Sequence, residues 1–149
     1  MVEAGRVAPS FSLARHEAPP FTRSELHGRT TVLIFYPFAF SPVCTDQLAI
    51  YNELSEDFAD EGATLYGVSC DTTWSQLAFK RHLNIDIEQL SDFDPKGRTS
   101  KAFGVLHPGG FSHRAIVVIG PDAVVRWSHI SDSLDDLPGA NLIFDALAA

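Results

Sequence analysis

A chain of 149 residues, 45% hydrophobic and 20% charged, has the composition of one globular domain over residues 1–149, long enough to bury roughly 70% of the surface its unfolded form exposes. Eleven Lys and Arg against nineteen Asp and Glu give a formal charge of −8, a field that repels phosphate backbones and anionic lipid and argues against nucleic-acid and membrane partners. The longest apolar run, Val32 to Phe40, is broken by Pro37 and falls far short of the roughly 18 to 20 residues that span a bilayer.

The opening Met1-Val2-Glu3-Ala4-Gly5-Arg6 has neither the basic region nor the apolar stretch of a secretory signal, so the expected compartment is the cytoplasm. Phe11 to Ala14 reads as an added edge strand. Thr31 to Tyr36 is a β-branched and aromatic run stopped by Pro37, and its near-continuous apolarity predicts a central strand covered on both faces. Ser41-Pro42 then reads as an N-cap followed by proline at the first helical position, where its missing N–H costs nothing. From Pro42 the apolar residues Cys44, Leu48, Tyr51, Leu54 and Phe58 recur at helical spacing, which predicts one helix ending near Gly62.

Ala63 to Ser69 is a second strand, and the order strand, helix, strand implies a right-handed parallel crossover and an α/β core. Asp71, Thr72 and Thr73 offer caps for a helix over Trp74 to Leu83, and Ile87 to Leu90 reads as a short edge element. A turn at Pro95-Lys96-Gly97 precedes a short helix near Thr99 to Phe103, and His107-Pro108-Gly109-Gly110 is a loop. Arg114 to Ile119 and Ala123 to Ser128 alternate around Gly120-Pro121-Asp122, a hairpin whose antiparallel strands make the sheet mixed. Asn141 to Ala148 is the expected terminal helix, laid over one face of the sheet.

Parallel strands place the following helix starts at the carboxyl edge of a sheet, where α/β proteins bind ligands. Cys44 falls there, third in its helix, among unpaired amides at the positive helix end, and such a thiol ionises readily. The helix end supplies about 0.3 to 2 kcal/mol, so a strongly ionised thiol also calls for a cation. Taken alone, a free cysteine is most often buried and inert, and a lone arginine at a strand end, such as Arg114, is as readily a solvated one. The two cysteines exclude a disulfide scaffold, and their spacing fits neither a zinc ribbon nor a Cys-x-x-Cys pair. The six histidines show no metal-ligand spacing, so no metal is expected. Asp92 with Asp94 and Asp135 with Asp136 read as turn formers. Trp74, Trp127, Tyr36, Phe38 and Phe40 read as core, pocket or interface aromatics.

The string Phe35-Tyr36-Pro37-Phe38-Ala39-Phe40-Ser41-Pro42-Val43-Cys44 carries Pro-x-x-x-Ser-x-x-Cys in a strand, loop, helix context, and resembles the peroxiredoxin active site. The resemblance extends to Gly5–Leu13, to Tyr66–Asp71, to Leu90-Ser91-Asp92 and to Arg114, and is nearest to the one-cysteine alkyl hydroperoxide reductases and bacterioferritin-comigratory-type proteins. It implies a thioredoxin-like fold with an N-terminal β extension, peroxide as substrate, no cofactor, and a homodimer. It further implies Cys44 as peroxidatic nucleophile, Ser41 orienting the peroxide, Pro37 shielding the thiolate, Val43 contacting substrate and Arg114 stabilising the anion. Where many relatives carry Glu three residues after the cysteine to brace the arginine, this chain has Gln47; where many carry a resolving cysteine, it has Ala49.

Cys70 is the remaining candidate for a resolving cysteine. Strand spacing puts it on the order of 10 Å from Cys44, against the less than about 7 Å that a disulfide needs. Cys70 is therefore expected to be a buried structural thiol, resolution by it requires local unwinding of the helix start, and the expected cycle uses one cysteine and an external thiol or thioredoxin-like reductant. The other class of reading is a catalytically silent thioredoxin-like module that binds a partner or senses oxidation.

Overall fold

The computed structural model describes residues 1–148. The chain enters through a hairpin, β1 (Ser12–Arg15) and β2 (Ala18–Thr22), and a 3-10 turn over Arg23–Leu26, before the strand that organises everything else. That strand, β3 (Thr30–Phe35), is buried from Thr31 onward. It pairs parallel with β4 (Ala63–Ser69) on one side and antiparallel with β6 (Ala115–Ile119) on the other. With β5 (Glu88–Ser91) and β7 (Val125–Ile130), the seven strands lie in the order β2-β1-β5-β4-β3-β6-β7. The sheet is mixed, in an α/β arrangement.

The helices are α1 (Pro42–Glu53), α2 (Ser55–Asp60), α3 (Thr73–Leu83), α4 (Arg98–Ala102) and α5 (Ala140–Ala148). Strand alternation divides the core in two. Leu33, Phe35, Tyr66, Val68, Val117 and Ile119 point to one face, with Phe11, Phe21 and Phe103. Val32, Ile34, Tyr36, Leu65, Ile116 and Val118 point to the other, under Cys44, Leu48, Tyr51, Phe58, Phe79 and Ile143 of the helices. Among the described residues no helix is long and apolar enough to cross a membrane.

Four expectations need correction. The helix from Pro42 is two helices: Leu54 leaves helical geometry at φ −101° and ψ 10°, while the Ser55 hydroxyl donates to the Asn52 carbonyl and the Asn52 side chain accepts from the Asp86 amide at 2.8 Å. Those side-chain bonds compete with the helical ladder and break it, yet the apolar stripe keeps its direction and buries the same face. The element read at Ile87–Leu90 is interior, with four parallel pairs to β4 and β1 against its far side. The Phe11–Ala14 strand is accordingly not the edge; β2 is, and it was not foreseen because Pro19 and Pro20 argue against a strand anywhere but an edge. In the late hairpin Ala123 sits at φ +62° and its amide closes a turn onto Gly120, so β7 starts at Val125 rather than Ala123.

Candidate active site

The antiparallel register of β6 against β3 pairs Phe35 with Ala115, so the residue just before β6 lies at the carboxyl end of β3. By this topology Arg114 meets the start of α1 across 70 positions of sequence. Tyr36 prolongs β3 by one bond to the Val68 carbonyl at 3.0 Å, and its buried hydroxyl donates to Gln89 Oε1 at 2.6 Å. Burial drives the Tyr36 phenol far above the ordinary range, so it stays protonated as that donor.

Between Tyr36 and α1 the chain is pinned in two places. Asp71 accepts from the Ala39 amide at 2.8 Å, and Phe40, in the left-handed region at φ +69°, rests its ring 5.1 Å from that of Phe79. Ser41 occupies the N-cap position with extended backbone at φ −69° and ψ 147°. Its hydroxyl does not cap the helix, as the sequence reading had it, but donates to the Phe38 carbonyl at 3.0 Å. The first-turn amides are thus not taken up by a side-chain cap, and the positive helix end faces the loop that carries Pro37 and Ser41.

Cys44 is fully buried at the third helical position. Arg114, 2% exposed, makes three bonds: Nη2 to Cys44 Sγ at 3.2 Å, Nη1 to Gln47 Oε1 at 2.6 Å, and Nε to the Leu134 carbonyl at 3.0 Å. The guanidinium thus sets a cationic donor directly against the sulfur. Gln47, noted in the sequence as a departure, thus holds the arginine with a neutral oxygen.

Beside this cluster lies a cavity of about 210 Å³ with Pro37, Ser41, Val43 and Arg114 in its wall, closed by Phe38, Phe111, Leu134 and Asp135. Pro37, Ser41, Val43, Cys44 and Arg114 are therefore gathered in one place. Phe111, Leu134, Asp135 and Tyr51 were not singled out for this site. The Phe111 ring stands 4.9 Å from that of Phe38 and stacks on His107 at 4.5 Å, and an aromatic after a Pro-Gly-Gly loop was its only sequence signal. His113, whose imidazole is pushed down by burial and then by His107, packs 4.9 Å from that second ring.

Cys70 is not part of the cluster. It follows directly on β4, is buried, and has Asp92, Ser100, Lys96 and Ser112 as its polar neighbours. Burial, and next Asp92, push its thiol up. Both cysteines are free. Among the described residues no three His, Cys, Asp or Glu side chains gather as a metal site.

The model of the AhpC/TSA family matches residues 4–128. The chain is 30% identical over 131 residues to a peroxiredoxin of Thermoplasma volcanium, covering 85% of this chain and 64% of that one. It is 32% identical over 130 residues to the chloroplastic peroxiredoxin Q of Sedum lineare, covering 84% and 67%. It thus spans about two thirds of the length of these curated relatives. Among solved structures, the peroxidoxin BcpB of Mycobacterium tuberculosis superposes with a TM-score of 0.82 at 29% identity, over 99% of this chain and 96% of that one. Enterococcus faecalis AhpC superposes at 0.89 with 22% identity, over 99% and 92%, which extends the likeness in fold. The mixed sheet is thus the thioredoxin-like sheet of these proteins, and the chain belongs to the AhpC/TSA family as a peroxiredoxin of the bacterioferritin-comigratory type.

Proposed function

We propose that the chain is a thiol-dependent peroxidase with Cys44 as its nucleophile. The Cys44 thiolate attacks the terminal oxygen of a hydroperoxide; an S–O bond forms, the O–O bond breaks, and the leaving alkoxide or hydroxide takes a proton to become alcohol or water. Cys44 is left as a sulfenic acid, which an external thiol converts to a mixed disulfide with loss of water; a second thiol then restores Cys44. The carrying observation is the buried guanidinium donating to Cys44 Sγ at 3.2 Å, beside a cavity that admits a substrate. As the O–O bond breaks, negative charge passes from the attacking sulfur to the leaving oxygen, and a fixed cation with helix-end amides stabilises it.

The one-cysteine cycle is favoured by the surroundings of Cys70, whose polar neighbours are Asp92, Lys96, Ser100 and Ser112 and not the residues bonded at Cys44. An apolar wall of Phe38, Phe111, Val43 and Leu134 favours organic hydroperoxides over hydrogen peroxide. A homodimer fits the exposed rings of Phe40 and Trp74, and a reducing compartment such as the cytoplasm fits two free thiols.

The test is one equivalent of peroxide followed by dimedone, with intact mass and peptide mapping. A dimedone adduct on Cys44 alone, absent in Cys44→Ser together with peroxide consumption, is the expected result. A two-hydrogen mass loss with linked Cys44 and Cys70 peptides overturns the one-cysteine cycle. No reaction at either thiol overturns the peroxidase reading and leaves a silent module.

A further inference from the structure

The loop between α4 and β6 is built around one imidazole. Backbone bonds fix its ends: the His107 amide donates to the Phe111 carbonyl at 2.7 Å, the Gly110 amide to the His107 carbonyl at 2.9 Å, and the His113 amide to the Val105 carbonyl at 2.7 Å. Within the loop the Gly109 amide donates to His107 Nδ1 at 2.9 Å. A backbone amide nitrogen can only donate, so Nδ1 is the bare nitrogen and the proton of this imidazole sits on Nε2. On the face of the imidazole lies the Phe111 ring, 4.5 Å away and 12° from parallel.

The two glycines are required by that arrangement. A Cβ on Gly109 would stand 2.5 Å from Phe111 Cε1 and 3.1 Å from His107 Nδ1, and Gly110 takes left-handed backbone at φ +86°. Phe111 in turn packs 4.9 Å from Phe38, and these two rings wall the cavity beside Cys44. His107 stands behind that wall and reaches the cavity only through Phe111.

We propose that His107, in this neutral form, is a positioning residue that holds the Phe111 ring in the cavity wall and makes the preference for organic hydroperoxides depend on pH. Protonation puts a hydrogen on Nδ1, which then meets the Gly109 N–H donor to donor. The attraction of a charged imidazole for an aromatic face acts across the stack, whereas the collision lies in the imidazole plane, and the turn of the imidazole that relieves it ends the near-parallel contact. The backbone bonds keep the loop itself in place, so what is lost is the support of one ring. The proposal deepens the peroxidase reading and rests on it for its role in turnover.

The charged and titratable groups around this imidazole come from three sides. His113, at the end of the same loop, packs 4.9 Å from it; burial, and next His107, push that second imidazole down, so it stays neutral further into acid than an ordinary one. Lys96, in the turn before α4, brings its ammonium to 3.9 Å from the place of a Gly110 Cβ. Arg114 and Asp135 lie beyond Phe111 in the cavity wall.

The test uses the full chain and begins without peroxide. Cumyl alcohol, which keeps the alkyl group of cumene hydroperoxide and cannot react, is titrated into the protein and followed by NMR at about pH 7.5 and about pH 5.5, on either side of the ordinary imidazole range. Its affinity is expected to fall about threefold on acidification, as loss of part of an aromatic contact would give. In His107→Phe, which keeps a flat ring but has no acceptor, the affinity is expected at that lower level at both pH values, whereas His113→Asn keeps the pH dependence. The ratio of kcat/KM for cumene hydroperoxide to that for hydrogen peroxide, in which the ionisation of Cys44 cancels, follows the same pattern. The proposal is overturned by an imidazole nitrogen spectrum that puts the His107 proton on Nδ1 at neutral pH, by an affinity that is absent or does not fall in the unaltered chain, by a fall that survives His107→Phe or vanishes in His113→Asn, or by a kcat/KM ratio flat with pH. The first two are read on the unaltered chain and decide alone if a variant does not fold. A chain that binds cumyl alcohol as expected but consumes no peroxide overturns the peroxidase reading and leaves the hold of His107 on Phe111 standing.

Discussion

Arg114 does its work through three nitrogens with three separate acceptors, a geometry that a planar fork satisfies and a single ammonium does not. Arg114→Lys keeps the charge but loses two of the three bonds, so it is expected to lower the peroxide oxidation rate of Cys44 by about 10- to 100-fold, near the 1.5 to 3 kcal/mol of a charged hydrogen bond. Stopped-flow fluorescence at several pH values checks this, and a rate within twofold of the parent means that charge alone suffices. Cys70 gives a second expectation. Its thiol is raised in the fold by burial and then by Asp92, so the unfolded chain loses that proton first as pH rises. The contribution of Cys70 is whole below the ordinary thiol range near 8.5 and declines above it. The stability gap between the parent and Cys70→Ala should therefore narrow from pH 8 to pH 10 in urea titrations; a constant gap refutes that sign. At this scale Pro37, Ser41, Cys44 and Arg114 were legible because each is a side chain with a motif position. The Leu134 carbonyl was not, since any residue offers a carbonyl and only the fold aims it.

The elements around the site show where local pattern suffices. The start of α1 was readable from Ser41-Pro42 because proline at a first helical position is strongly patterned. Its end was not, because the break at Leu54 depends on Asn52 reaching the Asp86 amide, a contact from outside the helix. The interior position of β5 was likewise hidden: a strand of four residues announces itself, but not that β1 covers its far side. The loop from His107 to Ser112 delivers Phe111 to the cavity, stacked on His107 and against Phe38. An aromatic in that wall adds contact for an alkyl group and little for a two-oxygen molecule. Phe111→Ala is therefore expected to lower kcat/KM for cumene hydroperoxide about 10-fold, and for hydrogen peroxide less than threefold, as loss of a partly buried aromatic contact would. Equal losses for both substrates mean that Phe111 acts on the loop and not on the substrate.

Across the whole molecule the sheet separates two kinds of dependence. The face of Phe11, Phe21, Phe103 and Val105 holds the N-terminal hairpin to the sheet, and the face of α1, α2, α3 and α5 carries Cys44. The terminal helix was legible after Pro138-Gly139, but its partner was not, because nothing in the sequence pairs Phe144 with Phe58. In the fold their rings stack at 4.2 Å and 4°, while Ile143 beside them is fully buried. The stack anchors α5 to α2 within the apolar cluster that also holds Cys44, and α5 begins at Ala140, two residues after Pro138. Removing the Phe144 ring takes away partly buried apolar surface and one aromatic pair, so Phe144→Ala should destabilise the chain by about 1 to 3 kcal/mol. None of the three bonds of Arg114 involves α5, so Cys44 alkylation at pH 7 should stay within about twofold. Urea denaturation and alkylation of the same sample read both quantities. A loss of stability with an unchanged thiol makes α5 a clamp on the helical face, independent of the site; a thiol that slows in proportion makes the terminal helix part of the apparatus that holds Arg114 against the sulfur.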